Sequence, residues 1–565
     1  MSKKFDMFAG AFLMTIFRPR AIMANIMKKY SRLVWDNALN MVIMSVLTGL
    51  FAGVVVTFYN ILMSIGEGKA ADLYILLLDN PAFIPLLFVG LAAGALVIGT
   101  LVRFVPMIRG SGIPQIEGAA RGVVRFKWYI TLTSMFAASL ACVFMGYPAG
   151  AEGPSLEIGG CCGSATGTLL KRNQMVKRLQ IASGASAGLA VAFNAPITGI
   201  VFALEEAFRS FSPQVFICAA ISVVTAVVTR NAIRLPILGE GSVGFAFAGF
   251  VYPEIGFGGS DLVFILWVAL AAVIVSLAGV GFYYLVFASK KLFKKIKFFK
   301  GAGKYMIPFV LAGAFGIITL YSTGGGHSFI DALSTGGGAH AMELTEVFGI
   351  GLIASLIVIV VVRFITAVMT MGCGVPCGVF IPMLAIGAGL GAVMSLLFQM
   401  GGMDVKYSDY LIIICMAAFF TCIVKAPITG IVMVFELTGQ FQNFLPAMLG
   451  IAIGYIVGML FKTEAIYEKN LEQYIADEKL YEKVKKVRLE LKIMANSKAD
   501  GSAVRKIVWP TNGLVVGIIK EDGSATVADG ETVLRAGEVI IFECETDDEK
   551  ELSEYMYSIV GKQDL

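Results

Sequence analysis

Apolar runs of similar length recur along most of the chain, at residues 41–63, 83–102, 129–145, 262–287 and 347–362. Each approaches the roughly 20 residues that carry an α-helix across a bilayer. Other apolar runs, 191–207 and 426–435, are shorter and interrupted by Gly and Pro. Broken helices persist at membrane depth only where protein or a wet cavity satisfies their backbone. The pattern therefore predicts about a dozen or more membrane helices, several of which do not span.

The pattern changes after Lys462. The stretch EKNLEQYIADEKLYEKVKK is charged and reads as a polar linker helix. Residues 487–493 then alternate apolar and polar positions, the period of a half-buried strand. Residues 514–519 and 538–543 read as further strands, with turn dipeptides at Asn512-Gly513 and Asp522-Gly523. Residues 497–507 are expected to form a short helix and 547–559 a closing one. The predicted organisation is a segment 1–38, an all-α membrane domain 39–462, a linker 463–486 and a small α+β domain 487–565.

Composition agrees with this reading. The chain of 565 residues is 57% hydrophobic and only 15% charged, whereas soluble domains are about 45–50% apolar. Basic residues gather at Lys3, Lys4, Arg18, Arg20, Lys28, Lys29 and Arg32, and again between Lys290 and Lys304. Basic loops stay inside, so the N-terminal end and the 290–304 segment are expected on the cytoplasmic side. No signal peptide is read at the start, and nothing in the net charge of +5 asks for nucleic acid. Most of the nine cysteines lie in apolar segments, where they read as small buried hydrophobes. No metal or cofactor is expected; Cys373 and Cys377 form a weak CxxxC, and His327 and His340 read as structural. HExxH, paired GxGD aspartates and a TVGYG filter are absent, which argues against a membrane protease or a potassium channel.

The membrane part repeats. APITGIV occurs at 195–201 and at 426–432, an offset of 426 − 195 = 231. GAEGPSLEIGGCCG at 150–163 parallels GVFIPMLAIGAGLG at 378–391, an offset of 378 − 150 = 228. Two similar halves predict a repeat architecture with a site between them; if the repeats are inverted with an odd number of spans each, both chain ends face the cytoplasm. Three segments, GSGIP (110–114), GAEGP (150–154) and GVFIP (378–382), share Gly, three residues and Pro before an apolar run. Proline suits the first turn of a helix, and the backbone N–H groups there point free at a positive dipole end. Three such starts predict helix N-termini converging on a small anion. Glu152 stands inside one of them, and an ionisable residue at that depth is functional by default.

GSGIPQIEG, GAEGP, GVFIP, NAPITGIVFALEEA and KAPITGIVMVFELT together resemble the CLC family of chloride channels and chloride/proton antiporters, over roughly residues 40–460. The resemblance implies a homodimer in the plasma membrane with one pore per subunit. It implies that Ser111, with Gly112 and Ile113, holds the central chloride. It further implies that Glu152, beside Gly153, is the gate, and that the Val379 and Phe380 N–H groups contact the anion. By the same resemblance Glu206 is the inner proton-transfer group, with Glu205 and Glu117 as candidate helpers. Two positions depart from the family pattern. Ala151 replaces the usual base before Glu152, and Phe441 stands where a coordinating tyrosine is expected. Residues 487–565 resemble a TrkA-C domain, which implies tail pairing and a nucleotide site of the cyclic di-AMP kind. The resemblance implies chloride/proton antiport; a passive chloride channel is the alternative, and the serine in GSGIP speaks against a fluoride exporter.

Overall fold

The computed structural model describes the chain except residues 1, 208–212, 240–248, 251–252, 254–258, 335–350, 440–443, 479–484, 508, 511–512, 547–548 and 563–565. At 2–38, 207, 260, 300, 444, 485, 545–546 and 551 only the backbone is described. Eight helices among the described residues are long and apolar enough to cross a membrane, from Leu39–Asp79 to Val405–Val424. Shorter apolar helices, Trp128–Phe144, Pro427–Thr438 and Leu445–Leu460, accompany them. Leu86, Val97, Val228 and Leu266 are all more than half exposed. Such a girdle would promote aggregation in water, but in a bilayer it meets acyl chains.

The first apolar helix runs to Asp79, well past the expected 41–63. The GEGKAADLY stretch looks like a break, but Glu, Lys, Ala and Leu are good helix formers. Its Glu67 also has a partner: the Gly325 N–H donates to Oε1 at 2.9 Å.

Helix Glu152–Leu169 is enclosed by protein over nearly its whole length, and helix Ser408–Val424 over all of it. Small residues make this packing fit. A Cβ on Gly159 would overlap the Gly184 carbonyl and come within 2.9 Å of the Gly188 Cα. Helices Glu152–Leu169 and Gln174–Phe193 therefore touch backbone to backbone, as membrane helices with small-residue faces do.

The predicted repeat is visible as reciprocal pairing. Gly150 and Gly378, equivalent positions of the two halves, form an isolated antiparallel bridge. Gly150 N–H donates to the Gly378 carbonyl at 2.8 Å, and Gly378 N–H returns the bond at 2.9 Å. A second exchange joins the APITG segments. The Glu436 carboxylate accepts from Ile197 N (2.7 Å), Thr198 N (2.6 Å) and Thr198 Oγ1 (2.8 Å). Glu205 does the same for Ile428 N (3.0 Å), Thr429 N (2.7 Å) and Thr429 Oγ1 (2.7 Å). Each half thus caps the broken helix of the other, and reciprocal contacts between equivalent residues are what a pseudo-two-fold axis produces.

Beyond the membrane part, helix Ile466–Asp477 leads to a four-stranded antiparallel sheet, ordered β1-β4-β2-β3. The strands are β1 (Lys485–Lys492), β2 (Gly513–Ile519), β3 (Ala525–Thr526) and β4 (Val539–Thr546). Helix Glu549–Val560 closes the core through Leu552, Met556 and Ile559. The expected helix at 497–507 is only a short 3-10 turn, Val504–Lys506. Residue 501 is a glycine at φ 75°, which interrupts it. The linker helix differs from its polar reading too, since Ile466, Tyr467, Leu471, Tyr474 and Ile475 are buried in the membrane domain's core.

Candidate functional site

Three helix starts meet near the Gly150–Gly378 bridge. Gly112 caps helix Ile113–Ala120 at φ 77°, a left-handed conformation that glycine adopts without strain. Gln115 Nε2 donates to the Arg109 carbonyl at 2.7 Å, and Gly110 N–H donates to Gly374 O at 3.1 Å. The first motif is therefore tied to the second half of the chain. A Cβ on Gly153 would lie 2.7 Å from Ser111 O, 2.9 Å from Ser111 Cβ and 3.3 Å from Gly378 Cα. GSGIP, GAEGP and GVFIP thus come together within a few atoms of one another. The amides of Ile113, Gly153, Val379 and Phe380 lie at or beside the starts of helices, whose first N–H groups have no intrahelical acceptor. The Phe380 ring is fixed by Phe193 (centroids 4.8 Å apart) and Phe420 (4.6 Å).

A cavity of about 690 Å³ reaches this point, with Ser111 and Val379 in its lining. Arg109, Lys290, Lys294, Lys297 and Lys304 line it as well. These are largely the basic residues read in the sequence only as marking membrane sidedness, and here they give the opening a mainly basic lining. The linker helix borders the same opening. Arg109 pairs with Glu478 at 3.1 Å and with Asp477 at 3.8 Å, and Lys294 pairs with Asp477 at 2.8 Å.

Glu152 is the first residue of its helix and only 2% exposed. Its Oε1 lies 3.4 Å from His327 Nε2, and its Oε2 has no hydrogen-bond partner among the described residues. Glu117 is wholly buried on helix Ile113–Ala120. Glu206 is buried in a π-helical turn, Ala203–Ala207, where the Arg121 guanidinium holds its backbone carbonyl at 3.0 Å. The carboxylate of Glu205, a candidate helper, caps helix Pro427–Thr438 through three hydrogen bonds. Phe441 lies outside the described residues. His340 does too.

Three groups escaped the sequence reading. Tyr467 is fully buried, its hydroxyl has no hydrogen-bond partner among the described residues, and it lies within electrostatic reach of Glu117, Glu206 and Glu152. The apolar spacing of Ile466, Tyr467, Leu471, Tyr474 and Ile475 is a helical stripe and could have revealed it. Glu157, one and a half turns after Glu152, is also fully buried, with neither carboxyl oxygen hydrogen-bonded among the described residues. A Cβ on Gly112 would overlap it. His327, read as structural, sits against Glu152. All nine cysteines are free thiols, Cys373 and Cys377 included.

The voltage-gated chloride channel family matches residues 93–459. The chain belongs to this family. The TrkA-C domain family matches residues 488–557. A relative from Vibrio cholerae, the H(+)/Cl(-) exchange transporter ClcA, is 31% identical over 448 residues, covering 77% of this chain and 90% of the relative. The ClcA exchanger of Yersinia pestis is 29% identical over 385 residues, 66% of this chain and 74% of that one. Among solved structures, a slow cyanobacterial Cl-/H+ antiporter superposes with a TM-score of 0.67 at 23% identity, over 78% of this chain and 99% of that one. A CLC-type fluoride/proton antiporter gives 0.58 at 17% identity, over 75% and 96%. Family and fold agree that this is a multi-pass transport protein with a CLC membrane domain and a TrkA-C tail.

Proposed function

We propose that the protein exchanges chloride for protons across the plasma membrane, with Glu152 as the gate. The observation that carries this reading is a buried carboxylate at the meeting point of three helix starts, one oxygen of which is not hydrogen-bonded among the described residues. An ionised Glu152 is itself an anion and competes with chloride for the same N–H groups. Once protonated it loses that attraction and swings away, so one side chain couples the two ions. Chloride enters through the basic cavity and is held by Ser111 and by the amides of Gly112, Ile113, Gly153, Val379 and Phe380. Tyr467, rather than a residue at position 441, supplies a second hydroxyl to the central chloride. Glu206 passes protons from the other side, with Glu117 beside it. The two relatives named as H(+)/Cl(-) exchangers support antiport over a passive channel.

The protein acts as a homodimer with both termini in the cytoplasm, and the paired TrkA-C tails form a regulatory unit that binds a cyclic dinucleotide such as cyclic di-AMP. Within each tail Val515 and Ile518 face the domain's own core, whereas Leu514 is 66% exposed, so Leu514 is the residue of that strand free to meet a partner. The deciding experiment records chloride and proton fluxes together in liposomes. Glu152→Gln and Glu206→Gln should each stop proton movement while chloride still flows. Wild-type protein that moves chloride but no protons would replace the antiporter with a channel.

A further inference from the structure

The GGGH turn before helix His327–Ala332 is held from two sides. Glu67, from the first helix, accepts the Gly325 N–H at 2.9 Å. Arg363, from helix Leu352–Cys373, donates to the Thr323 carbonyl at 3.3 Å and lies over the Phe329 ring, 5.4 Å from its centroid. Between these two anchors the chain turns at Gly326, φ 113°, and presents His327 to Glu152 with Nε2 3.4 Å from Oε1. The two side chains differ sharply in exposure, 39% for the imidazole against 2% for the carboxylate. His327 is therefore partly exposed at one end and meets the buried gate at the other. Neither it, Glu67 nor Glu152 lines the basic cavity, so this contact lies away from that opening. Position 151, where the family's motif carries a base, is alanine, and the imidazole is the ionisable base set against the gate.

Resting on the reading of Glu152 as the gate, we infer that His327 is the proton donor that loads Glu152 from the water on its side of the membrane, with Glu67 as its positioning residue. The imidazolium gives its Nε2 proton to Oε1 of the ionised carboxylate, leaving a neutral imidazole and a neutral carboxyl group. The neutral gate leaves the anion path. The imidazole then takes a proton from a hydronium ion, which becomes water, and the donor is restored. Among the described residues the charged groups facing the imidazole are Glu152, Glu67 on the first helix, Asp331 one turn along its own helix, and Arg363 across the loop. Burial works against the imidazolium, but the neighbouring carboxylates outweigh it, and a histidine changes charge near neutral pH.

The test uses full-length protein in liposomes, with proton and chloride flux recorded between about pH 5 and 8, a range that brackets the ordinary histidine titration. His327→Gln should slow proton flux at least roughly ten-fold, the low end of what a positioned acid or base contributes, and should remove the step in the pH profile. His327→Ala should regain proton flux when free imidazole is added, which a merely structural histidine would not allow. Glu67→Gln should move the step to lower pH with His327 in place. A His327→Gln protein with wild-type proton flux and pH profile overturns the inference, as does failure of imidazole to rescue His327→Ala. Should His327→Gln not fold, His327→Ala with and without imidazole tests the donor role in its place. Glu152→Gln separates the two readings: if it still moves protons, the gate assignment fails; if it does not, and the histidine variants behave as wild type, only the donor role fails.

Discussion

Adding one methyl group at Gly378 should disconnect the two halves of the anion site. A Cβ there would stand 2.6 Å from Gly150 O, 2.9 Å from Gly150 C and 3.1 Å from Gly153 N. The first two distances are shorter than packed atoms tolerate, and the obstacle is backbone, which cannot rotate away as a side chain can. The Gly150–Gly378 bridge must open, breaking hydrogen bonds of 2.8 and 2.9 Å. Each such bond contributes about 0.5–1.5 kcal/mol net, so the pair contributes about 1–3 kcal/mol. If bound chloride depends on the bridged arrangement, that difference appears as a roughly 5- to 150-fold weaker affinity. Titration calorimetry of chloride into purified Gly378→Ala measures it. Gly281→Ala is the control, because a Cβ at Gly281 meets nothing within 4 Å. Unchanged affinity in Gly378→Ala, with the control also unchanged, would refute the claim that the bridge organises the site.

Other outcomes follow from the same geometry. Glu436→Ala strips three hydrogen bonds from the start of helix Pro196–Phe202 and should cost about 2 kcal/mol, seen as a lower melting temperature in detergent. Combined with Glu205→Ala it should show non-additive loss, because the two caps join the same pair of halves. Tyr467→Phe should weaken chloride binding in calorimetry much as Ser111→Ala does, while leaving the melting temperature near wild type, since the ring is kept. A chain ending at Glu478 should still carry chloride in a liposome flux assay. One ending at Lys462 should not, because it lacks the buried Ile466, Tyr467, Leu471, Tyr474 and Ile475.

The three helix starts were legible because Gly, Pro and a stranded carboxylate announce themselves in a one-dimensional string, and the offsets of 228 and 231 gave the repeat. The soluble tail was legible through its period-two alternation. What could not be read was that one of two adjacent carboxylates caps a helix of the other half. Glu205 and Glu206 sit side by side in one π-helical turn, and only the fold shows that the first reaches across to the opposite half. Tyr467 was hidden because charged residues surround it on a helix whose other face is buried. His327 and Glu67 lie 260 residues apart in the sequence, and nothing local to either points to the other or to Glu152.

The exchange of caps between the halves also bears on how the chain is made. The Thr198 amide finds its acceptor, Glu436, only 238 residues later. At roughly 5–20 residues per second, the first half waits on the order of 12–48 s in the membrane with that helix end uncapped. Glu205 waits in its turn for Thr429, 224 residues downstream. The nascent first half is therefore an incomplete object that water, lipid headgroups or an insertion factor must shelter, and the last membrane helices to emerge complete the first ones. The two halves expressed as separate polypeptides should each be degraded alone and rescued together, which would make assembly of the transporter a quality-control checkpoint set late in its own synthesis.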